Sequence, residues 1–338
     1  MDNLEEAIMP DHVFSFLPGS LHRIAAGLPR EILETLQEIR IRESRPLEIV
    51  YDHDHAFVDA GGKISDNPAA AYRPSHQECL QLLDLLTDHS LYTFEEELKR
   101  GFITVRGGHR VGLCGRVVLD KGEIKQIKDV TGFNIRLARE MIGAGRSVLP
   151  YLIDFEAQTV RHTLLISPPL WGKTTVIRDL ARMISTGEWP HQLAWKGKKV
   201  GIIDERSELA ACVKGVPTFH VGPRTDVMDH CPKAEGMMMM IRSMSPDVLV
   251  VDEIGRPEDA AAIREALRAG IKVLATAHGA GLEDIRSRPM LRELIEEGIF
   301  ERYVVLPGRK GTGRPLQVFD GSGFLQVKTP FDSHVKKV

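Results

Sequence analysis

Cysteine is scarce in this sequence and unpaired. Cys79, Cys114, Cys212 and Cys231 are scattered through 338 residues and form no C-x-x-C pair. That excludes a disulfide scaffold and a zinc ribbon, and it suits a reducing compartment. Aromatic residues are only 6% of the chain, so platforms for stacking nucleic-acid bases are few. Neither sign of charge dominates. The 44 Lys and Arg face 47 Asp and Glu, a net charge of −3, and no global field draws the chain to nucleic acid or anionic lipid. No apolar run approaches the roughly eighteen residues of a membrane span. The opening MDNLEEAIMPDHVF lacks the basic-then-apolar pattern of a signal peptide. No segment of solenoid length repeats. A cytosolic globular protein remains, and at roughly 150 residues per domain the length predicts two domains.

The expected organisation is an α+β N-terminal domain over 1–145, an α/β domain over 146–320 and a C-terminal tail over 321–338. In the first, Ile32, Leu33, Leu36 and Ile39 fall on one face of a helix predicted over 29–39. A strand follows at 47–50. Ser75 with Glu78, and Thr93 with Glu96, are capping boxes that open two helices. Strands are then expected at 102–105, 110–119, 123–127 and 132–137, separated by Gly and Asp turn residues. The second half alternates. Strands at 163–166, 199–204, 248–252, 271–275 and 302–306 interleave with helices near 173–185, 233–243, 257–269 and 282–297. Such alternation predicts a mainly parallel sheet covered by helices.

The chemistry lies in TLLISPPLWGKTT, residues 163–175. An apolar strand leads through Ser167, Pro168, Pro169, Leu170 and Trp171 into Gly172-Lys173-Thr174-Thr175 at a helix start. This is the P-loop arrangement, with Ser167 at its first glycine position. Backbone N–H groups of such a loop converge on phosphates. Lys173 is placed to reach the β- and γ-phosphates of ATP, and the Thr174 hydroxyl to reach Mg2+. Pro168 and Pro169 stiffen the loop and remove two N–H donors. Downstream, Val248–Val251 runs into Asp252-Glu253, the Walker B pattern. Asp252 is expected at Mg2+ and Glu253 at the attacking water. Ile202-Ile203-Asp204-Glu205 ends another strand at the same sheet edge, so Asp204 and Glu205 compete with Glu253 for the attacking water, with Glu253 ranked first and Glu205 second. Thr276 or His278, ending the fourth strand, is expected to sense the γ-phosphate. Four consecutive methionines, Met237–Met240, point around a whole helix, and at least two are expected in the core.

The order of these motifs carries a resemblance. IRSMSPDVLVVDEIGR (241–256) and VLATAHG (273–279) resemble the motor domain of type II and type IV secretion ATPases, which carry a P-loop, an acidic strand end, a Walker B strand and a His box. SLYTFEEELKRGFITVRGGHRVGLCGR (90–116), GFNIRLARE (132–140), GKKVGIIDERSELAA (197–211) and DVMDHCPKAEGMMMM (226–240) look like the stage III sporulation protein AA family. The resemblance spans about residues 28–310. It implies a RecA-like P-loop NTPase domain and an ATPase of the mother cell in endospore formers. It implies membrane-embedded partners of a channel complex, with the chain attached to the membrane peripherally through them. It also implies a homo-oligomeric ring, such as a hexamer, in which a neighbour's arginine completes the site. Arg206, Arg224, Arg242, Arg256, Arg110, Arg116 and Arg136 are candidates, with Arg224 and Arg242 favoured. Catalytic roles then fall to Lys173, Glu253, Glu205, Arg224, Arg242 and His278, with ATP and Mg2+ as the bound species. Two rivals stand beside this reading. One is a nucleic-acid-linked ATPase, to which the negative charge and few aromatics are opposed. The other is a nucleotide switch that does not hydrolyse.

Overall fold

The computed structural model describes residues 14–325 and residue 329, except 53, 89, 91–97, 100, 106, 121, 139, 170 and 309–314. The capping box at Thr93 and Glu96 and the P-loop residue Leu170 lie outside the described residues, as does most of the expected tail. The chain forms two compact units that divide between residues 139 and 140. Gly145 belongs to the second, where its N–H donates to Asp179 Oδ2 over 2.8 Å.

The first unit is built on an antiparallel sheet of seven strands: β1 (Leu36–Arg42), β2 (Glu48–Tyr51), β3 (Asp54–Val58), β4 (Ile64–Ser65), β5 (Phe102–Val105), β6 (His109–Asp120) and β7 (Glu123–Arg136). Their order is β4-β3-β2-β1-β7-β6-β5. The helix expected over 29–39 stops at Thr35, and Leu36 opens β1. The cause is a bulge. Leu36 pairs with Tyr51 and Glu38 with Val50, so β1 advances two residues while β2 advances one. The extra residue places Leu36 and Ile39 on the same buried side of the sheet. A three-residue apolar spacing that reads as helical is here a bulged strand. The helix His76–Leu86 begins as its sequence predicts. Ser75 Oγ accepts from Glu78 N–H, and Glu78 Oε2 accepts from Ser75 N–H at 2.8 Å. Cys79, Leu82 and Leu86 on its inner face join the core of this unit. The two strands expected over 123–137 are one long strand, β7.

The second unit opens with a short antiparallel pair, β8 (Ile153–Asp154) and β9 (Thr159–Val160). Then β10 (Thr163–Ser167), β11 (Val200–Asp204), β12 (Thr225–Asp229), β13 (Val248–Val251), β14 (Lys272–His278) and β15 (Arg302–Val305) run parallel, and β16 (Gln317–Asp320) adds an antiparallel edge. The order is β12-β11-β13-β14-β10-β15-β16. Neighbouring residues along one strand serve opposite cores. Leu165, Val248 and Val250 pack with Ile177, Leu180 and Ile184 of the helix Lys173–Thr186. Leu164, Ile166, Leu249 and Val251 pack with Met237, Met240, Ile263 and Ala266 from the helices Lys233–Met244 and Pro257–Arg268. Burial on both faces explains the unbroken apolar runs. Met237 and Met240 are fully buried, while Met239 is 56% exposed. The helix expected over 282–297 is two helices, Leu282–Arg286 and Pro289–Glu296, because a residue before proline is pushed out of the helical region. β12 carries no apolar run to announce it; at the sheet edge Asp226 is exposed and its other four residues are half-buried.

The strand starts share a charged cluster at the edge opposite the P-loop. His162 Nδ1 accepts from Val273 N–H at 3.2 Å, and His162 N–H donates to Glu301 at 3.0 Å. Burial, with Lys272 nearby, pushes the imidazole down to about 4, against the pull of Glu301 and Asp154. Its native pKa lies below the unfolded one, so its contribution is intact above pH 6.5 and is lost as pH falls toward 4. Asp204, held up at about 6 by burial, works in the opposite sense, so the comparison must be between variants. All three tryptophans (171, 189 and 195) lie in the second unit, and their emission reports its unfolding alone. Between pH 7 and pH 4.5 the native chain should lose about 2 kcal/mol more stability than His162→Asn, after allowing for partial exposure. Equal losses in urea titrations of both proteins would remove His162 from the acid transition.

Candidate nucleotide-binding site

The parallel register brings the strand ends together. Ser167 pairs with His278 across β10 and β14, and Val251 pairs with Ala275 across β13 and β14. Asp252 and Glu253 follow directly on β13. At this edge lies a cleft of about 420 Å³ lined by Pro169, Gly172, Lys173, Thr174, Thr175, Arg206, Glu208, Asp252, Glu253 and His278. It sits at the N-terminus of the helix Lys173–Thr186, where unpaired N–H groups favour an anion. Gly172 caps that helix at φ +81°, and a Cβ there would meet no protein atom. The demand for glycine is therefore one of backbone conformation alone. Ser167, standing where the P-loop pattern has its first glycine, is not left-handed and needs none of glycine's freedom. Its hydroxyl donates to the Pro168 carbonyl at 3.0 Å.

Lys173 is 5% exposed. Its ammonium donates to the Ser167 carbonyl at 2.9 Å, the Pro168 carbonyl at 3.1 Å and His278 Nδ1 at 2.8 Å. Burial pulls its pKa down, while Asp252 and Glu253 oppose the shift. Because Nδ1 accepts, the ring proton sits on Nε2, which lies 2.8 Å from Glu253 Oε1. The other oxygen of Glu253 faces Arg206 at 3.2 Å. Glu253 itself is left-handed, at φ +54°. Its N–H donates to Thr276 Oγ1 at 2.8 Å. Thr276 in turn donates to Asp252 Oδ1, and Thr174 donates to Asp252 Oδ2 at 3.0 Å. One hydroxyl and one carboxylate thus face each other at the start of the P-loop helix. Among the described residues no group of three or more His, Cys, Asp or Glu is arranged to hold a metal ion by itself. Thr174 with Asp252 is nevertheless a donor set that fits Mg2+, which is held by one or two carboxylates with phosphate oxygens and water completing its shell.

Not every expected residue meets in the cleft. Trp171 is half-buried and outside the lining. Glu205 turns to Lys233 at 2.8 Å, with Arg256 at 4.0 Å. Burial works to raise its carboxyl, but these cations together with Arg206 take it below the usual range. Arg224 precedes β12, and Arg242 stands in the last turn of the helix that leads to β13. Both are exposed, at the edge where parallel strands begin, opposite the cleft. Arg206 and Glu208 line it instead. Arg206 stood among several arginines in the sequence with nothing to single it out, and Glu208 gave no signal.

The model of the sporulation stage III, protein AA family matches residues 10–325. The chain belongs to this family. It is 43% identical over 319 residues to the stage III sporulation protein AA of Bacillus subtilis (strain 168), covering 94% of this chain and 98% of that one. Two solved structures share the fold. The Legionella pneumophila ATPase DotB aligns with a TM-score of 0.54 at 14% identity, over 89% of this chain and 79% of its own. The pilus retraction motor PilT, solved with bound ADP, aligns with a TM-score of 0.53 at 16% identity, over 91% and 84%. The family member thus shares the α/β fold of these two proteins, a RecA-like unit with a mainly parallel sheet after a smaller α+β unit. Among the described residues no helix is long and apolar enough to cross a membrane.

Proposed function

We propose that this sporulation protein is an ATP-binding and ATP-hydrolysing motor of the secretion-ATPase type. The observation that carries the reading is the meeting of Lys173, Thr174, Asp252, Glu253 and His278 in one cleft at a helix N-terminus. The backbone of residues 171–174 would receive the phosphates, and Lys173 would exchange its protein acceptors for phosphate oxygens. Thr174 and Asp252 would hold Mg2+, which neutralises charge on the β- and γ-phosphate oxygens. Glu253 would orient the attacking water and draw its proton. His278, already bonded to both Lys173 and Glu253, would register whether Lys173 has left for a phosphate. Arg206 sits opposite the same carboxylate. We assign the motor to the mother-cell cytoplasm, bound peripherally to membrane-embedded partners of a channel complex whose assembly or transport it energises. No nucleic acid is needed for this reading.

Lys173→Ala tests it. The variant should bind ATP more weakly and lower turnover about 10²–10³-fold, the cost of losing a prepositioned donor at the reacting group. Phosphate release by the native chain and the variant, measured side by side, decides. Turnover that survives in Lys173→Ala would remove the cleft from the chemistry.

A further inference from the structure

Arg206 reaches Glu253 from the loop between β11 and β12, whose far part is tied by its own bonds, Cys212 N–H to Ser207 Oγ at 3.0 Å and Thr218 N–H to the Ala210 carbonyl at 3.1 Å, while the backbone of 208 and 209 is held from outside. Ser207 and Ala211 are both left-handed, at φ +55° and +50°, a region where alanine has nothing to offset the steric cost. Two buried charges hold the segment 208–210, beside the burial of Leu209 and Ala210 in the core. From one side Asp204, 2% exposed, accepts the N–H groups of Glu208 at 2.8 Å, Leu209 at 2.9 Å and Ala210 at 2.8 Å. From the other, Arg178 donates Nε to the Leu209 carbonyl at 2.5 Å and NH2 to the Glu208 carbonyl at 2.7 Å. Residues 208 and 209 are thus gripped by both their amides and their carbonyls.

Arg178 is 6% exposed, and its guanidinium lies 4.1 Å over the ring of Phe219. No carboxylate pairs with it among the described residues, and its remaining nitrogen, NH1, is buried without a hydrogen-bond partner there. A buried cation that makes no close ion pair is a costly way to hold a backbone segment. Its place on the helix supplies the reason. Arg178 is four residues beyond Thr174 and so on the same helical face. The helix that begins at the P-loop therefore carries the group that fixes the loop bearing Arg206 and Glu208.

We propose that Arg178 is a positioning residue of the nucleotide site, which with Asp204 clamps residues 205–211 so that Arg206 meets Glu253. The proposal rests on the hydrolytic reading above for its effect on turnover, but not for the clamp itself. A lysine keeps the charge yet lacks the fork that spans two consecutive carbonyls. Arg178→Lys in the full chain is expected to speed amide exchange of 208–210 about tenfold, as the loss of a charged hydrogen bond would. It should also lower kcat for ATP about tenfold, with KM changed less than about threefold, because Arg178 acts on Glu253 and not on the phosphates. In an Arg206→Ala background the same substitution should add less than about twofold, since its effect passes through Arg206. Asp204→Asn turns one of the two acceptor oxygens into a donor facing backbone N–H groups, which weakens the amide side of the clamp, and it should show the same three results, which serves if Arg178→Lys does not fold. Unchanged exchange over 208–210, or a full tenfold effect in the Arg206→Ala background, overturns the proposal. A native chain without turnover would defeat the hydrolytic reading, and the exchange result would then decide the clamp alone.

Discussion

Glu253→Gln is expected to lower ATP turnover by about 10²–10⁴-fold, the range for removing a positioned general base, while ATP affinity changes only a few-fold. The expectation follows from what each oxygen of Glu253 touches. Oε1 faces His278 Nε2 at 2.8 Å and Oε2 faces Arg206 at 3.2 Å, so the carboxylate stands inside the cleft between two groups that line it. Gln keeps the length and can still accept from His278, but it cannot take a proton from water. Lys173, Thr174 and Asp252, the groups that would hold the nucleotide and Mg2+, are untouched by the change. Glu205→Gln is the matched control. Glu205 is bound to Lys233 at 2.8 Å outside the cleft lining, and its loss should alter turnover less than about threefold beyond any local loosening. Both variants are read by phosphate release and by equilibrium binding of a fluorescent ATP analogue. If Glu205→Gln abolishes turnover and Glu253→Gln spares it, the two carboxylates exchange roles.

The P-loop and the Asp252-Glu253 pair were legible because their meaning is local. An apolar strand, a tight turn and a GKT helix start are contiguous in sequence, and the parallel sheet then has only one edge at which strand ends can gather. What was not legible depends on contacts across the fold. Glu205 and Glu208 are three residues apart on one loop, and sequence cannot say which faces the cleft. Asp204 and Arg178 decide it by gripping the backbone between β11 and β12. The helix misread over 29–39 has a similar origin. Leu36 and Ile39 show helical spacing, and only the pairing with Tyr51 and Val50 reveals a bulge. The sequence reading places the domain boundary between residues 145 and 146. The structure divides it after residue 139, because Gly145 and Leu149 are already packed into the second core.

Turnover per chain is expected to rise by about 10³–10⁵-fold between isolated chains and the assembled oligomer, the worth of an arginine supplied in trans to a transferring phosphoryl group. The cations lining the cleft are Lys173 and Arg206; Lys173 would already serve the phosphates of the bound nucleotide, and Arg206 is engaged with Glu253. Charge that builds on the γ-phosphate oxygens in the transition state calls for a further donor. Arg224 and Arg242 stand at the opposite edge of the parallel sheet, so within one chain neither reaches the cleft. If either acts, it acts on the site of a neighbouring copy. Activity should then depend on concentration, and Arg224→Ala or Arg242→Ala should be nearly inactive alone while still binding ATP. Mixing such a variant with Lys173→Ala should restore part of the rate, because an intact cleft from one protein can meet an intact arginine from the other. Phosphate release and light scattering on the same dilution series test this directly. A confirmed monomer that turns over at the full rate would end the ring hypothesis and leave Arg206, already 3.2 Å from Glu253, as the arginine that serves the reaction within one chain.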